Sequence, residues 1–252
     1  MNVASFDTSK VTDMDHLFFG CHSLKNLSLS NFNTSKVEKM NRMFSECKSL
    51  RSLDLSMFDT SSLNDIEYMF SEAESLTSLN LYNFDTSIVT NMKSIFEGCK
   101  TLNNLNVSNF VTTEVTNMDY MFKNCNNLKS LDLSSFHTPK LQSMDEMFSE
   151  CHSLTSLDIP NFQTNLVTTM SSLFKNGQNL LGLNLSSFDT TNVVNMEFMF
   201  YNCFSLFSLD LSNFNLNSLT TLKSMFDGCN KIEYINFIAY HDLTNTDISL
   251  IF

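Results

Sequence analysis

Tryptophan is absent from this 252-residue chain, proline occurs twice and glycine five times. Positive charge is also scarce. Fifteen Lys and Arg face 27 Asp and Glu, for a formal net charge of −12. A chain this acidic repels phosphate backbones and gains nothing from an anionic bilayer surface, so neither nucleic acid nor membrane is an expected partner. No apolar run reaches the length needed to span a bilayer. The start, Met1 to Phe6, has neither a basic segment nor a long apolar stretch, so it does not read as a signal peptide. The expectation is either an export signal outside these residues, with the protein at the cell surface or secreted, or a cytoplasmic protein.

What is abundant is phenylalanine, 24 residues, with 15 methionines. The excess has a periodic cause. Phe6, Phe32, Phe58, Phe84, Phe110, Phe136, Phe162, Phe188 and Phe214 recur every 26 residues, and Tyr240 extends the series. A second column runs Phe18, Phe44, Phe70, Phe96, Phe122, Phe148, Phe174, Phe200 and Phe226. An unbroken register with no insertion predicts nine units stacked in one pose, a solenoid.

Within one unit, Val115, Met118, Met121, Phe122 and Cys125 follow spacings that predict a short amphipathic helix. Thr116 or Asn117 would cap its start, and Asn124 would end it in a left-handed conformation. Gly20, Gly98, Gly228, Asn176 and Asn202 share that last column. The second half, Leu131-Asp132-Leu133-Ser134, alternates as a half-buried strand does. The expected fold is therefore α/β, with one parallel strand and one short helix per unit. Residues 1–240 form the solenoid and 241–252 a C-terminal cap or a truncated further unit.

The segment L-x-x-L-x-L is the strand half of a leucine-rich repeat. Asp85-Thr86-Ser87, Val89-Thr90-Asn91-Met92, Phe96, Cys99, Leu102, Leu105 and Phe110 together resemble the BspA-like leucine-rich repeat surface proteins, including a domain repeated in mycoplasma lipoproteins. The resemblance covers residues 3 to 240. It implies a curved solenoid on a bacterial or protist cell surface that binds host or neighbour-cell proteins. It carries no catalytic motif.

Several columns are candidates for chemistry. Cys21, Cys47, Cys99, Cys125, Cys151, Cys203 and Cys229 share one column, with Ala73 and Gly177 in the other two units. Zinc ligands need closer spacing, and seven thiols cannot all pair, so the column reads as a small buried slot. Met92, Met118, Met121, Met144 and Met147 read as core. The Thr8-to-Thr190 column reads as hydrogen-bonding a turn. No cofactor or metal is expected.

Two binding surfaces stand out. The exposed strand column holds Asp54, Asp132, Asp158 and Asp210 among Ser and Asn. Asp132 and Asp158 would be like charges about 4.8 Å apart, with raised carboxyl pKa values or a shared calcium ion as consequences. Phe198, Tyr201, Phe204 and Phe207 lie outside the core columns and predict an exposed aromatic edge that contacts protein. Three functions compete: a non-catalytic surface binding or adhesion module, an intracellular interaction scaffold of the same fold, and a polysaccharide-acting β-helix enzyme. The first is expected, with a protein ligand on the host or a neighbouring cell.

Overall fold

The computed structural model describes residue 3, residues 5–237 and residues 246–251. The chain winds into a solenoid whose successive turns lie side by side, paired in parallel on two faces. On one face lie six short strands: β1 Ser52–Asp54, β2 Ser78–Asn80, β3 Ser130–Asp132, β4 Ser156–Asp158, β5 Ser208–Leu211 and β6 Tyr234–Phe237. They pair in parallel as β1–β2, β3–β4 and β5–β6, with Leu53 opposite Leu79, Leu131 opposite Leu157 and Leu209 opposite Ile235. Each partner stands 26 residues ahead, as the repeat requires.

The opposite face corrects the helix expectation. Among the described residues there is no helix. The segment from Val115 to Cys125 is a ribbon of tight turns. The N–H of Met121 donates to Met118, that of Cys125 to Phe122 and that of Leu128 to Cys125, each three residues back. The alternate N–H groups of Met118, Tyr120, Phe122 and Asn124 donate instead to Ser143, Asp145, Met147 and Ser149 in the next coil, at 2.8 to 3.0 Å. An α-helix needs every one of those N–H groups for its own i−4 carbonyls. Here half of them hold the stack together.

Left-handed backbone makes this possible. Each coil has two such residues, for example Tyr120 at φ 58° with Asn124 at 62°, and Glu146 at 53° with Glu150 at 62°. Asn124 is left-handed, as its residue type suggested, but it closes a turn and does not end a helix. For a residue with a Cβ this conformation costs roughly 1–2 kcal/mol. The ladder to the adjacent coils outweighs that cost.

The interior is filled by the columns. Rings from Phe18 through Phe226 stack in one unbroken file, with centroids 5.5 to 5.7 Å apart and planes within 11° of parallel. Offset stacking of this kind adds to the gain from apolar burial. The other Phe column is buried from Phe32 to Phe214, whereas Phe6 at the first turn is half exposed. Val, Met and Leu of the turn ribbon complete one continuous core.

Two polar columns clip coil to coil. Buried Thr86 donates its hydroxyl to the Val111 carbonyl at 2.9 Å and accepts the Val111 N–H at 2.8 Å. Thr112, Thr138, Thr164 and Thr190 donate in the same way, and Leu216 ends the series. Buried Cys47, Cys99, Cys125, Cys151, Cys203 and Cys229 each point Sγ at the carbonyl of a Phe 29 residues back, at 3.0 to 3.3 Å. The cysteine slot therefore also supplies a weak donor to a buried carbonyl. All seven cysteines are free.

The expected boundary at residue 240 and residues 241–245 of the expected cap lie outside the described residues. Beyond them the ladder continues: Leu222 N–H donates to Asp247, Ser224 to Ser249 and Phe226 to Ile251, and Leu250 takes the left-handed φ of 54° of its column.

Candidate functional site

The strand face is not uniform. Asn26-Leu27-Ser28, Asn104-Leu105-Asn106 and Gly182-Leu183-Asn184 occupy the strand columns but form no strand. Every strand from β1 to β5 begins with Ser, and the unpaired segments begin with Asn or Gly. Asn and Gly are poor strand formers, which accounts for the difference. Where pairing lapses, Leu27, Leu105 and Leu183 are only partly buried.

A groove opens at each lapse. The largest, about 580 Å³, runs over Asn103 to Asn106 between Thr77–Leu79 and Ser130 with Asp132. Leu27 to Ser30 with Asp54, Met57 and Phe58 line a second of about 180 Å³. Leu183 to Ser186 with Asp210, Ser212 and Asn213 line a third of about 140 Å³. Each has a Leu floor and a polar rim, and in each the one charged lining residue is an aspartate.

Those aspartates are Asp54, Asp132 and Asp210, three of the four candidates. Each accepts the backbone N–H of the serine two residues on, at 2.9 to 3.0 Å, and so turns the chain at the strand end. The same bonds settle their ionisation. The Ser56 N–H and then its hydroxyl hold Asp54 below the usual carboxylate range. The hydroxyl and then the N–H of Ser134 and of Ser212 do so for Asp132 and Asp210. For Asp132 the expected raising is therefore replaced by lowering, as at Asp54 and Asp210: all three are exposed, so desolvation is outweighed by hydrogen bonds. Asp158 stands opposite Asp132 in the β3–β4 register. Two residues on from it stands Pro160, which has no N–H to give, so Asp158 makes no such turn. Among the described residues no group of three or more His, Cys, Asp or Glu side chains is arranged to hold a metal ion.

Carboxyls raised by burial lie instead on the turn ribbon: Asp15, Glu67, Glu72 and Asp145. Asp145 accepts the Thr169 hydroxyl at 2.7 Å, but burial dominates and the nearby Asp119 adds to it.

The four aromatics do not form one edge. Phe198 and Tyr201 sit half-buried on the turn ribbon, edge to face at 5.7 Å, with the Lys175 ammonium over both rings at 5.3 and 5.7 Å. Phe204 and Phe207 lie at the corner leading into β5 and are exposed, 37 % and 52 %. Among the described residues no ring contact joins the two pairs. The reason is that the turn ribbon ends near Cys203 and the chain turns there toward β5, so Phe204 and Phe207 leave the segment that carries Phe198 and Tyr201. Phe207 N–H bonds the Leu181 carbonyl, which sets it beside an apolar residue 60 % exposed, and Tyr234 of β6 is exposed by the same fraction. Leu181, Phe207 and Tyr234 are exposed apolar residues on three successive coils near the third groove, and Phe204 is exposed on the coil of Phe207. Column reasoning missed Leu181 and Tyr234, although Lys25, Arg51 and Lys129 in the column of Leu181 and Phe207 mark the change to apolar type.

Among the described residues no histidine ring is hydrogen-bonded to a Ser, Thr or Cys side chain. His152 lies between Glu150 at 2.9 Å and Asn126 at 2.7 Å. The six buried thiols are removed from nucleophilic chemistry by their burial, which pushes Cys47 and Cys151 up to about 12 and Cys229 to about 11. No helix is long and apolar enough to cross a membrane among the described residues.

The family described as "Mycoplasma protein of unknown function, DUF285" matches this chain three times, over residues 1–82, 77–178 and 154–246. The chain belongs to that family. This agrees with the BspA-like leucine-rich repeat resemblance carried by the columns. No curated protein matches in sequence. Among solved structures, the chain is similar to a leucine-rich repeat protein from Bacteroides ovatus at 16 % identity and TM-score 0.44. That match covers 80 % of this chain and 64 % of the other, so this chain spans less than two thirds of it. It is also similar to the leucine-rich repeat protein of T. pallidum, at 18 % identity and TM-score 0.47, over 68 % of this chain and 72 % of that one. A leucine-rich cell surface protein from Faecalibacterium prausnitzii is similar at 15 % identity and TM-score 0.35, over 92 % and 78 %.

Proposed function

We propose that this chain is a non-catalytic protein-binding module of a cell-surface protein, adhesive in role, whose ligand is a protein of a host or neighbouring cell. The observation that carries this reading is the exposure of Leu181, Phe204, Phe207 and Tyr234 on three successive coils beside a polar strand face. Exposed aromatics grouped next to hydrogen-bonding rims are the composition of protein contact surfaces. The resemblance of the repeat columns to BspA-like surface proteins supports the surface setting. Free thiols favour the second reading, an intracellular scaffold of the same fold. Their burial, with Sγ held on backbone carbonyls, makes six of the seven equally compatible with an oxidising exterior.

The test is binding of the purified chain to a panel of immobilised extracellular matrix proteins. The double variant Phe204→Ser/Phe207→Ser should lose binding to whichever member the parent protein holds. Phe198→Ser/Tyr201→Ser, on the turn ribbon, should retain it. Retention by the first variant, or no binding to any member by the parent, overturns the proposal.

A further inference from the structure

The three grooves recur at one spacing. Leu27, Leu105 and Leu183 are 78 residues apart, and so are Asp54, Asp132 and Asp210. This is three 26-residue units, and the core columns carry the same longer period. Val11, Val37, Leu63 is followed by Val89, Val115, Leu141 and by Val167, Val193, Leu219. Leu17, Met43, Met69 is followed by Ile95, Met121, Met147 and by Leu173, Met199, Met225. The family matches begin at residues 1, 77 and 154, steps of 76 and 77, close to this period. On the turn side the parallel bridges break at the same period: Asp13–Lys39–Asp65, then Asn91–Asn117–Ser143, then Thr169–Asn195–Thr221, the last continuing to Asp247. The structural module is thus three coils, and each module opens one groove where its first coil leaves the strand ladder.

We infer that the strand face is a three-site array for one extended basic polypeptide segment, with an Arg or Lys side chain seated in each groove. The inference rests on the reading of this face as a protein-binding surface and names what it binds. The occupant follows from the lining. Every groove offers a partly buried Leu for an aliphatic stem and one ionised aspartate for a cationic head, and none is lined by a Lys or Arg. Lys25, Arg51 and Lys129 stand at the corner before the strand, outside those linings. The net charge of −12 draws the same kind of partner from a distance.

Geometry sets the spacing of the ligand. Adjacent coils lie about 4.8 Å apart, so equivalent grooves are about 14 Å apart along the axis. An extended chain advances about 3.4 Å per residue, so about four residues span one step. The matching segment carries a basic residue at every fourth position. Linking three weak sites in this way raises the affinity of the whole above that of any one.

The experiment uses the full chain and two synthetic 12-residue peptides of one composition. One has Arg at every fourth position among Ser and Thr. The other has its three arginines in a block. The spaced peptide should bind the more tightly. Asp54→Asn, Asp132→Asn and Asp210→Asn keep the turn-forming acceptor, since Asn80, Asn106 and Asn184 make the same turn. Each should weaken the spaced peptide about threefold, in the range of exposed ion pairs, and the triple variant about thirtyfold. The control Glu38→Gln/Glu97→Gln/Glu114→Gln removes equal charge elsewhere and should leave binding within a factor of two or so of the parent. Equal binding of the two peptides, no binding of either, or equal losses in the triple variant and the control overturns the array. None of these results bears on Phe204 and Phe207, which the matrix-protein panel tests separately.

Discussion

At the scale of the residue, the phenylalanine file shows how a side chain acts through its neighbours. Phe122 has a stacked ring on each side, Phe96 and Phe148, whereas Phe18 has only Phe44. Phe122→Ala should destabilise by about 3–5 kcal/mol, as loss of a buried Phe does elsewhere. Phe18→Ala should cost less, because the first turn frays locally. Urea unfolding of the two variants decides the matter, and equal losses would contradict a stack held by nearest neighbours. The cysteines give a second residue-scale prediction. Six are buried, and Cys21 is the partly exposed exception. Under native conditions iodoacetamide should label Cys21 within minutes and the rest only on unfolding, a pattern read by mass spectrometry of tryptic peptides. Rapid native labelling of Cys125 would mean that the coils open far more readily than this packing allows.

At the scale of the element, the turn ribbon is where sequence periodicity and structure part. Val115, Met118, Met121, Cys125 and Leu128 satisfy a helical stripe and a ribbon of three-residue turns about equally well over one unit. A longer view separates them. From Thr112 to Met121, and again from Phe122 to Leu128, buried residues recur in steps of three, and each such step slips about 60° around an α-helix, so the stripe would wind out of the core. Steps of three fit turns whose N–H closes on a carbonyl three residues back. The left-handed positions make the difference measurable. Gly20, Gly98 and Gly228 relieve the strain in one column, and Glu46 at φ 59° does not. Glu46→Gly should stabilise the protein by about 1 kcal/mol by removing a Cβ from left-handed backbone. In an α-helix the same change would destabilise by a similar amount. The sign of the shift in thermal midpoint therefore tells ribbon from helix without coordinates, and far-ultraviolet circular dichroism should lack a helical signature.

At the scale of the whole molecule, acidity is distributed unevenly between the two faces. On the turn ribbon, burial raises Asp15, Glu67, Glu72 and Asp145. A carboxyl whose folded pKa is raised binds its proton more tightly folded than unfolded, so acidification from neutral stabilises the fold. That gain is complete near the unfolded value of about 4. Below it the lowered carboxyls, Asp54, Asp132 and Asp210 among them, take up protons more readily unfolded, and stability declines. The midpoint of unfolding should thus be higher at about pH 5 than at pH 7 and should drop below about pH 3. Asp145→Asn should flatten the rise between neutral and mildly acidic pH. A midpoint that falls steadily from pH 7 downward would contradict the assignment.

The 26-residue register, the buried columns, the parallel strand and the family were legible in the chain alone, because each depends on which residues recur and not on how the backbone closes. The binding surface was legible only in part. Asp54, Asp132 and Asp210 stood out by type, yet nothing local to them tells that Asn104, Gly182 or Asn26 on a neighbouring coil leaves the ladder and opens a groove. Phe207 stood out as an exception, whereas its neighbours Leu181 and Tyr234 lie 26 and 27 residues away and meet it only when coils stack. The secondary structure of the return segment was also decided in three dimensions. A backbone N–H has equivalent partners three or four residues back or one coil ahead, and only the presence of that next coil, at the spacing the Phe file imposes, makes the turn ribbon the better bargain.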